Sequence, residues 1–286
     1  MSFACKIFRK KFQMKILITG SAGFLGKSLV SQIDKKNNNL YFILRKKKNG
    51  KNNFCCPLEN IKKVKYITNL LKPDVIINIA AEVNFQKKTK NMFRVNALIP
   101  KIFSQYCKKN EKYFIHVSGT LVNGIHSLYN HQTKFKPISH YGKSKLKAET
   151  FIKEINCKHA ILRFGGIYGK NGPSHLGINK FITDAFANKK IHFYGNPQTL
   201  RNYIFVNDAA RAIVNCMKHK VIGAFYVGGQ IQTFEKMLNK IVKIINKNKK
   251  VNFIDNNQPR SDQLIENDEI IKPISFKKSL EIMRLE

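Results

Sequence analysis

The chain has 286 residues, 43% of them hydrophobic and 11% aromatic, which is enough to bury the core of one large domain or of two closely joined domains. Its formal net charge is +35, and a basic surface attracts nucleic acids and anionic membranes. However, lysine supplies 44 of the 52 basic residues and is spread along the whole chain without a basic and aromatic nucleic-acid motif, so the composition argues against a polyanion partner.

The sequence predicts neither a metal site nor a membrane span. The six cysteines have no paired metal spacing, and a chain of this length needs no disulfides, so we expect free thiols in a reducing cytoplasm. His126, His131 and His140 also lack metal-ligand spacing and neighbouring carboxylates. No apolar run approaches the ~18 residues that cross a membrane. A soluble, cytoplasmic protein is the resulting expectation.

Residues 1–13 precede the first apolar run and are basic, with scattered aromatic and aliphatic side chains. They lack the uninterrupted apolar stretch of a signal peptide. We expect a disordered or mis-started extension, and an anchoring helix is the alternative interpretation.

Short apolar runs alternate with amphipathic stretches from residue 14 to about residue 165. The runs predict buried strands, at residues 15–19, 40–44, 75–79, 113–118 and 160–164. Strands that alternate with helices predict an α/β fold with a doubly wound parallel sheet of the Rossmann kind. We therefore predict a Rossmann domain at residues 14–165.

The alternation changes after about Gly165, where glycine-rich loops follow the last of these strands. Helices are predicted near residues 176–188, 207–218 and 233–246, and a short strand near 203–206. We predict a smaller C-terminal region at 166–286 that mainly binds substrate and is partly interleaved with the Rossmann domain. Its cleft against the carboxyl edge of the sheet is the predicted active site.

A turn with three glycines follows the first predicted strand. Gly20 permits a tight turn, Gly23 lets the backbone approach a pyrophosphate, and Gly26 allows the next helix to pack closely on the sheet. Apolar residues then recur at helical spacing, at Leu25, Leu29 and Ile33. A plain strand-to-helix turn is the alternative, but the strand before the glycines and the helix after them favour a dinucleotide site.

The end of the second predicted strand bears on the choice of cofactor. An acidic residue there would bond the ribose 2′-hydroxyl of NAD, but the chain has Leu44-Arg45-Lys46-Lys47-Lys48. Arginine accommodates the 2′-phosphate of NADP, so Arg45 favours NADP, with NAD as the alternative. The three lysines are better explained by the general lysine excess.

Tyr141 and Lys145 are the predicted catalytic pair. They are four residues apart, so in a helix their Cβ atoms lie roughly 5–6 Å apart on one face. A phenol with a pKa near ~10 exchanges protons poorly at neutral pH, and a fixed ammonium beside it lowers that pKa. The pair therefore predicts acid–base chemistry, and together with the glycine turn it predicts a redox enzyme.

Several segments together resemble the extended short-chain dehydrogenase/reductase family, which includes the NAD-dependent epimerases and dehydratases of nucleotide sugars. In chain order they are the glycine turn, Asn78-Ile79-Ala80-Ala81, Asn96, His116-Val117-Ser118, Tyr141 with Lys145, Leu162-Arg163-Phe164 and residues 201–208. The resemblance implies a nucleotide-diphosphate sugar as substrate and a homodimer. It also implies cofactor contacts, from Gly20, Gly23, Phe24, Leu25, Gly26, Arg45, Ala80, Ala81, Asn96, Tyr141 and Lys145.

The chain departs from that family at Gly119. Family members have a serine or threonine here, whose hydroxyl bonds the substrate oxygen shared with the tyrosine. Thr120 supplies that hydroxyl if the loop shifts by one residue, whereas Ser118 is expected to point the other way if the strand persists. In the alternative, both hydroxyls only satisfy backbone groups at a turn. We predict Thr120 as the third catalytic residue.

The segment Thr120-Leu121-Val122 also narrows the reaction. The resemblance implies that sugar dehydratases place acidic residues just after the serine or threonine, to move protons at neighbouring carbons. This chain has none there. Dehydratase and decarboxylase chemistry are therefore disfavoured.

Two arginines resemble the diphosphate clamps of the family. Arg201 lies in Leu200-Arg201-Asn202-Tyr203, which matches the family block closely, and Arg260 in Arg260-Ser261-Asp262 is a looser match. A planar guanidinium binds a diphosphate in bidentate fashion better than a lysine does. A surface salt bridge is the alternative role for Arg201.

The sequence thus predicts an NAD(P)-dependent nucleotide-sugar epimerase or 4-keto-sugar reductase. The rival is a non-catalytic dinucleotide sensor, or an RNA-associated protein, on the same fold. Gly119 and the high charge favour this rival, while Tyr141, Lys145 and Arg201 argue against it. The residues do not identify the sugar, the nucleotide or the stereochemistry.

Overall fold

The apolar runs of the sequence form the strands of the structure. A computed structural model describes residues 13–246, 250–254 and 259–286, so the extension predicted at 1–13 lies outside the described residues except for its last one. In chain order the strands are β1 (Met14–Thr19), β2 (Asn38–Leu44), β3 (Asn53–Cys55), β4 (Val75–Asn78), β5 (Tyr113–Gly119), β6 (Leu128–Tyr129), β7 (Lys158–Phe164), β8 (Ile167–Tyr168), β9 (Ile191–Tyr194), β10 (Leu200–Arg201), β11 (Ile204–Phe205), β12 (Gly223–Val227), β13 (Gln232–Thr233), β14 (Val251–Ile254) and β15 (Leu264–Ile265).

Helices separate most of these strands. They are α1 (Phe24–Gln32), α2 (Ile61–Leu71), α3 (Ile99–Lys109), α4 (His140–Ile155), α5 (Gly177–Phe186), α6 (Val206–His219), α7 (Phe234–Ile245) and α8 (Phe276–Leu285), with a π-helical turn at Arg94–Leu98 and a 3-10 turn at Thr120–Val122. None of the helices in the described ranges is long and apolar enough to cross a membrane.

Seven strands form one parallel sheet at the centre of the fold. Their order across the sheet is β12-β7-β5-β4-β1-β2-β3, and every neighbouring pair is parallel. The chain winds from β1 through β2 to one edge and from β4 through β5 and β7 to the other. The predicted doubly wound sheet is confirmed, and the carboxyl ends of β1, β2, β4 and β5 meet at one edge, beside the point where the winding reverses.

Alternate residues of each strand pack against helices on opposite faces of the sheet. In β1, Ile16 and Ile18 belong to a core shared with α1 and with α5 to α8, whereas Leu17 belongs to a second core shared with α2, α3 and α4. All three side chains are fully buried. Burial on both faces explains why the strands read as continuous apolar runs.

The C-terminal part of the chain contributes to the sheet as well as to the region beside it. β12 forms one edge of the central sheet next to β7, and α6 packs against α1. The remaining C-terminal strands form two-stranded pairs, including β15 with β6. The predicted division at residue 165 stays a prediction, and β12 and α6 are the elements in which the two parts interleave.

Candidate active site

The glycine turn after β1 has backbone contacts that exclude larger residues. Gly20 has a φ of 79°, and a Cβ atom placed on it would lie 2.7 Å from the backbone nitrogen of Ala80. A Cβ atom on Gly26 would lie 2.0 Å from the carbonyl oxygen of Gly20. We expected Gly26 to pack its helix on the sheet; its closest contacts are instead with the turn, because the chain folds back over the start of α1.

The first turn of α1 offers backbone N–H groups to an anion. Gly23 caps the helix without a side-chain hydrogen bond, and the first turn has no acidic residue. Uncapped amides and the helix dipole favour a phosphate at this end. Phe24 packs near Gly169, and the Leu25 side chain is buried in the core, so Leu25 offers only its backbone to a cofactor. The turn and helix therefore fit a pyrophosphate.

Arg45 lies at the same edge of the sheet as this turn. It directly follows β2, which pairs with β1 so that Thr19 lies opposite Ile43. Its side chain is exposed and makes no ion pair within the part of the chain that the structure describes. The guanidinium is thus free to bind a phosphate, and its assignment to the 2′-phosphate of NADP stays a prediction.

The backbone after β4 is held against α4 by Asn96. The Asn96 side chain is buried in the π-helical turn; its Oδ1 accepts from Glu82 N at 2.7 Å, and its Nδ2 donates to Glu82 O at 2.9 Å and to Ser144 Oγ at 3.0 Å. These bonds occupy its amide. The predicted cofactor residues Ala80 and Ala81 directly precede Glu82, so Asn96 fixes their backbone, and a direct contact between Asn96 and the cofactor stays a prediction.

Tyr141 and Lys145 lie on α4, as their spacing predicted. Burial raises the pKa of Tyr141 to about 12 and lowers the pKa of Lys145 to about 8. The direction for Tyr141 is opposite to the one we expected from a neighbouring ammonium. The reason is geometric: Lys145 Nζ donates to Val117 O at 2.5 Å and lies 3.2 Å from His116 Nε2, so the amine is held against β5.

An aromatic ring that the sequence analysis did not single out contacts the tyrosine and, in turn, a histidine. The Phe85 ring contacts the Tyr141 ring edge-on, with centroids 5.4 Å apart, and its centroid lies 5.3 Å from that of His175. Phe85 remains 43% exposed, so this aromatic contact reaches the protein surface. In the sequence, Phe85 could have been noticed as a large aromatic residue within the mostly polar stretch 82–91.

The hydroxyl groups around Gly119 have different partners. Ser118 Oγ donates to Glu149 Oε1 at 2.6 Å, and Glu149 also binds Arg163 at 2.7 Å, so the Ser118 hydroxyl is held by a buried ion pair. The Thr120 hydroxyl is partly exposed and makes no hydrogen bond to any described residue. Thr120 therefore offers a free hydroxyl, and its catalytic role stays a prediction.

The 3-10 turn at Thr120–Val122 packs directly against the first turn of α4. A Cβ atom on Gly142 would lie 2.5 Å from the carbonyl oxygen of Leu121. Gly142 is next to Tyr141, so the residues of this turn border the candidate catalytic tyrosine. Its three side chains include no carboxylate.

The two predicted diphosphate arginines lie on two segments that touch. Arg201 Nη1 donates to the carbonyl oxygens of Leu200 and Ser261, at 2.8 Å and 2.6 Å, and no carboxylate pairs with it in the described ranges. Arg260 instead forms an ion pair with Asp262 at 2.7 Å. The structure therefore brings the arginines to neighbouring positions, and of the two it is Arg260 that is paired with a carboxylate.

No group of three or more His, Cys, Asp and Glu side chains in the described residues is arranged to hold a metal. The candidate site residues are instead a glycine turn, a buried lysine, a tyrosine in contact with a partly exposed phenylalanine, and two arginines. Such an arrangement can hold an anionic dinucleotide and exchange a proton with a bound substrate.

Comparison with known proteins places this arrangement in a family. The sequence profile of the RmlD substrate binding domain matches residues 14–255. A dTDP-D-glucose 4,6-dehydratase of Dictyostelium discoideum is 28% identical over an alignment of 251 residues. The alignment covers 75% of this chain and 58% of the relative. The chain thus spans less than two thirds of the length of this relative.

Solved structures with low sequence identity share the fold. A dTDP-4-dehydrorhamnose reductase of Bacillus anthracis, in complex with NADP, has a TM-score of 0.80 and 19% identity, over 96% of this chain and 98% of that one. A UDP-glucose 4-epimerase of Thermotoga maritima, with UDP-glucose, has a TM-score of 0.79 and 19% identity, over 95% and 98% of the two chains. The chain belongs to the RmlD substrate binding domain family, within the extended short-chain dehydrogenases/reductases that modify nucleotide sugars.

Proposed function

We propose that the chain is an NADP-dependent reductase of a keto sugar carried on a nucleoside diphosphate. The observation that carries the choice of reaction is the turn at Thr120–Val122, which borders Tyr141 and contains no carboxylate. A dehydratase needs further acid–base groups next to the tyrosine, whereas the reduction of a ketone needs one proton donor and one hydride donor. The reduction therefore requires nothing that this turn lacks.

The protonation state of Tyr141 also supports reduction. Because burial raises its pKa to about 12, the phenol carries its proton at neutral pH and can donate it to a carbonyl oxygen. A reaction that starts by oxidising a hydroxyl would first need the phenolate. We assign Tyr141 as the proton donor and the free hydroxyl of Thr120 as the second hydrogen-bond donor to the same oxygen.

The candidate cofactor residues support NADP. The turn at Gly20, the close backbone contact at Gly26 and the uncapped start of α1 fit a pyrophosphate, and the exposed Arg45 after β2 supports the choice of NADP. When bound, NADPH supplies the hydride to the carbonyl carbon of the sugar. We assign Lys145 to orient the ribose of the cofactor. Tyr141 recovers its proton from solvent after the new hydroxyl forms.

The substrate's diphosphate is assigned to Arg201, with Arg260 as a weaker contact. Arg201 has no carboxylate partner among the described residues, and its planar guanidinium suits two phosphate oxygens. The reductase of Bacillus anthracis, which shares this fold, acts on a dTDP-linked keto sugar. We therefore propose a 4-keto sugar on dTDP or a related nucleotide as the substrate class.

An isotope experiment tests this function against an epimerase. Purified protein is incubated with 4-keto and 4-hydroxy sugars of dTDP, UDP and GDP, together with NADPH or NADH deuterated at the nicotinamide C4. We expect one deuterium in the sugar and one oxidised dinucleotide per product, measured by mass spectrometry, and much slower product formation in Tyr141→Phe. A sugar isomer formed without net oxidation of the dinucleotide would favour the epimerase, and no sugar product at all would favour the dinucleotide sensor.

A further inference from the structure

A line of buried polar side chains connects the candidate catalytic lysine to the strand that precedes the glycine turn. Lys145 Nζ lies 3.2 Å from His116 Nε2, and His116 Nδ1 lies 3.1 Å from Asn78 Nδ2. Thr19 Oγ1 donates to Asn78 Oδ1 at 2.7 Å. The four side chains come from α4, β5, β4 and β1 and are at most 3% exposed. The line therefore crosses three neighbouring strands next to the predicted cofactor edge.

The charge of Lys145 restricts the hydrogen bonds along this line. Burial, and then the nearby Lys145, hold the pKa of His116 well below its ordinary value, so the ring is neutral and has one N–H and one lone pair. An ammonium can only donate, so a charged Lys145 needs the lone pair on Nε2 and the N–H on Nδ1. That N–H then needs an acceptor, which Asn78 supplies when Oδ1 of its amide faces the ring.

An uncharged Lys145 allows the opposite direction. The amine then accepts from Nε2–H, the lone pair lies on Nδ1, and Asn78 Nδ2 donates to it while Oδ1 accepts from Thr19. This is the arrangement of the amide in the structure. The tautomer of His116 and the orientation of Asn78 are therefore tied to the protonation of Lys145, because each neutral group between them offers both a donor and an acceptor.

We propose that His116, oriented by Asn78, is a positioning residue that holds the Lys145 amine against β5 and sets the pH at which Lys145 becomes charged. This inference deepens the proposed function and rests on it for the role of Lys145. Other groups also face the lysine: Glu149 lies one turn along α4 and is paired with Arg163 of β7, and Tyr141 lies one turn earlier. His159 of β7 also contributes to the neutrality of His116.

The competing explanation is that His116 only fills space in the sheet. Its ring packs near Phe114, with centroids 6.1 Å apart, and a phenylalanine would fill a similar volume. Under that explanation, removal of the ring nitrogens changes stability but not the titration of Lys145. The two explanations therefore differ in the pH range over which Lys145 titrates, and not in stability alone. We call this range the pH window of Lys145.

The pH window is measured on the protein without sugar or dinucleotide. Each variant is compared with the same variant carrying Lys145→Met, and the difference between their unfolding free energies is followed against pH. In the wild type the pKa of Lys145 is about 8 when folded and 10.5 ordinarily, so the unfolded chain binds more protons between these values. The wild type thus gains stability relative to Lys145→Met as the pH rises from about 8 to 10.5.

His116→Phe removes the acceptor for the ammonium and so lowers the pKa of Lys145. The gain in stability relative to Lys145→Met should therefore begin about one to two pH units lower. Asn78→Asp can only accept from the ring, which fixes the proton on Nδ1 and presents the lone pair to Lys145, so the gain should begin at higher pH. His116→Gln retains an acceptor and should stay near the wild type. Thr68→Val removes a buried hydroxyl that bonds only to Val64 O within α2, far along the chain from this line, and serves as the control.

An unchanged window in His116→Phe would overturn the proposal, as would a downward shift in Asn78→Asp. If His116→Phe does not fold, the shifts in Asn78→Asp and His116→Gln decide in the same way. Because no sugar or dinucleotide is present, this result is independent of the proposed reaction. A shifted window without any sugar turnover would reject the proposed function alone, and an unchanged window in an active reductase would reject only the role of His116.

Discussion

The two halves of the candidate site are held together in different ways. The cofactor half depends on backbone contacts and buried side chains: Gly20 against Ala80, Gly26 against the turn, and Asn96 bonded to the backbone of Glu82. The substrate half depends on long side chains on short elements. Arg201 lies on the two-residue strand β10, and its bonds go to carbonyl oxygens of irregular backbone.

This difference predicts where substitutions are tolerated. A backbone contact leaves no room for a larger residue, so the cofactor half should lose function with the addition of a single methyl group. A partly exposed guanidinium can be replaced without displacing the chain, so changes in the substrate half should alter affinity and leave the fold intact. We therefore expect specificity to change more readily in the proposed substrate half than in the cofactor half.

Tyr141→Phe tests the proposed proton donor and has the largest expected effect. Loss of the proton donor should lower kcat by about 10²–10⁴-fold and leave dinucleotide affinity nearly unchanged, because the phenol is needed for chemistry and not for binding. Turnover and calorimetric titration measure the two quantities. Turnover within a few-fold of wild type would remove Tyr141 from the reaction.

Thr120→Val tests the substitute for the hydroxyl that is absent at Gly119. Removal of one hydrogen-bond donor to the reacting oxygen should lower kcat by about 10²–10³-fold and leave cofactor binding unchanged. Thr150→Val is a suitable control, because Thr150 Oγ1 bonds only to the backbone of its own helix, at Leu146 O. An unchanged rate in Thr120→Val would eliminate Thr120 as the third catalytic residue.

Gly119→Ser extends the same test. A Cβ atom at position 119 would lie 3.3 Å from the carbonyl oxygen of Phe164, which is close but requires only a small adjustment. The added hydroxyl should therefore restore part of the activity that Thr120→Val loses. If the protein is a dinucleotide sensor, sugar turnover should stay absent in both Thr120→Val and the double variant.

Gly26→Ala tests the cofactor half directly. The added methyl group would lie 2.0 Å from the carbonyl oxygen of Gly20, so the turn must move. Overpacking of this kind costs about 1–3 kcal/mol, and the same amount lost from binding would lower dinucleotide affinity by about 5- to 150-fold. Gly177→Ala is the control, because its nearest neighbour, a carbon of Phe181, lies 3.9 Å away. Equal affinities in the two variants would contradict the assigned role of the turn.

Arg201→Ala and Arg260→Ala compare the two clamps of the substrate half. Arg201 has no carboxylate partner in the described ranges, so its loss should raise KM for the nucleotide sugar by about tenfold or more. Arg260 is already paired with Asp262 on the surface, so its loss should raise KM only a few-fold. Unfolding free energies should change little in either variant. A larger effect for Arg260 would reverse the assignment.

The same division explains how much of the structure the sequence could predict. The strands were predictable because burial on both faces of a parallel sheet makes apolar runs continuous, and the turn was predictable because glycine spacing is a local signal. The orientation of Lys145 was not, because it depends on His116, 29 residues away in the chain. His116 was visible only as a polar residue within the apolar run of β5, a pattern that does not identify its partners.

The edge strand β12 was also missed, since Gly223–Val227 is short and begins with glycine and alanine. Its place in the sheet depends on its pairing with β7, which lies about 60 residues earlier in the chain.

The role of Asn96 is another long-range property: the resemblance implied a cofactor contact, but the bonds of its amide go to Glu82 and Ser144. Local patterns thus located the residues, and contacts between distant segments determined what they do.

Arg45→Ala should have the smallest effect, because the guanidinium is exposed and solvent weakens its attraction to a phosphate. We expect the wild type to bind NADPH more tightly than NADH, and the variant to lose about fivefold in NADPH affinity with little change for NADH, since only NADPH carries the 2′-phosphate.

Lys48→Ala is the matched control, because it removes one positive charge from the same exposed stretch without removing the arginine. Calorimetric titrations at low and high salt would separate the two: a general charge effect predicts equal losses in Arg45→Ala and Lys48→Ala that disappear with salt, whereas a bidentate contact predicts a larger loss in Arg45→Ala. Equal affinities of the wild type for NADPH and NADH would instead show that Arg45 does not select the cofactor.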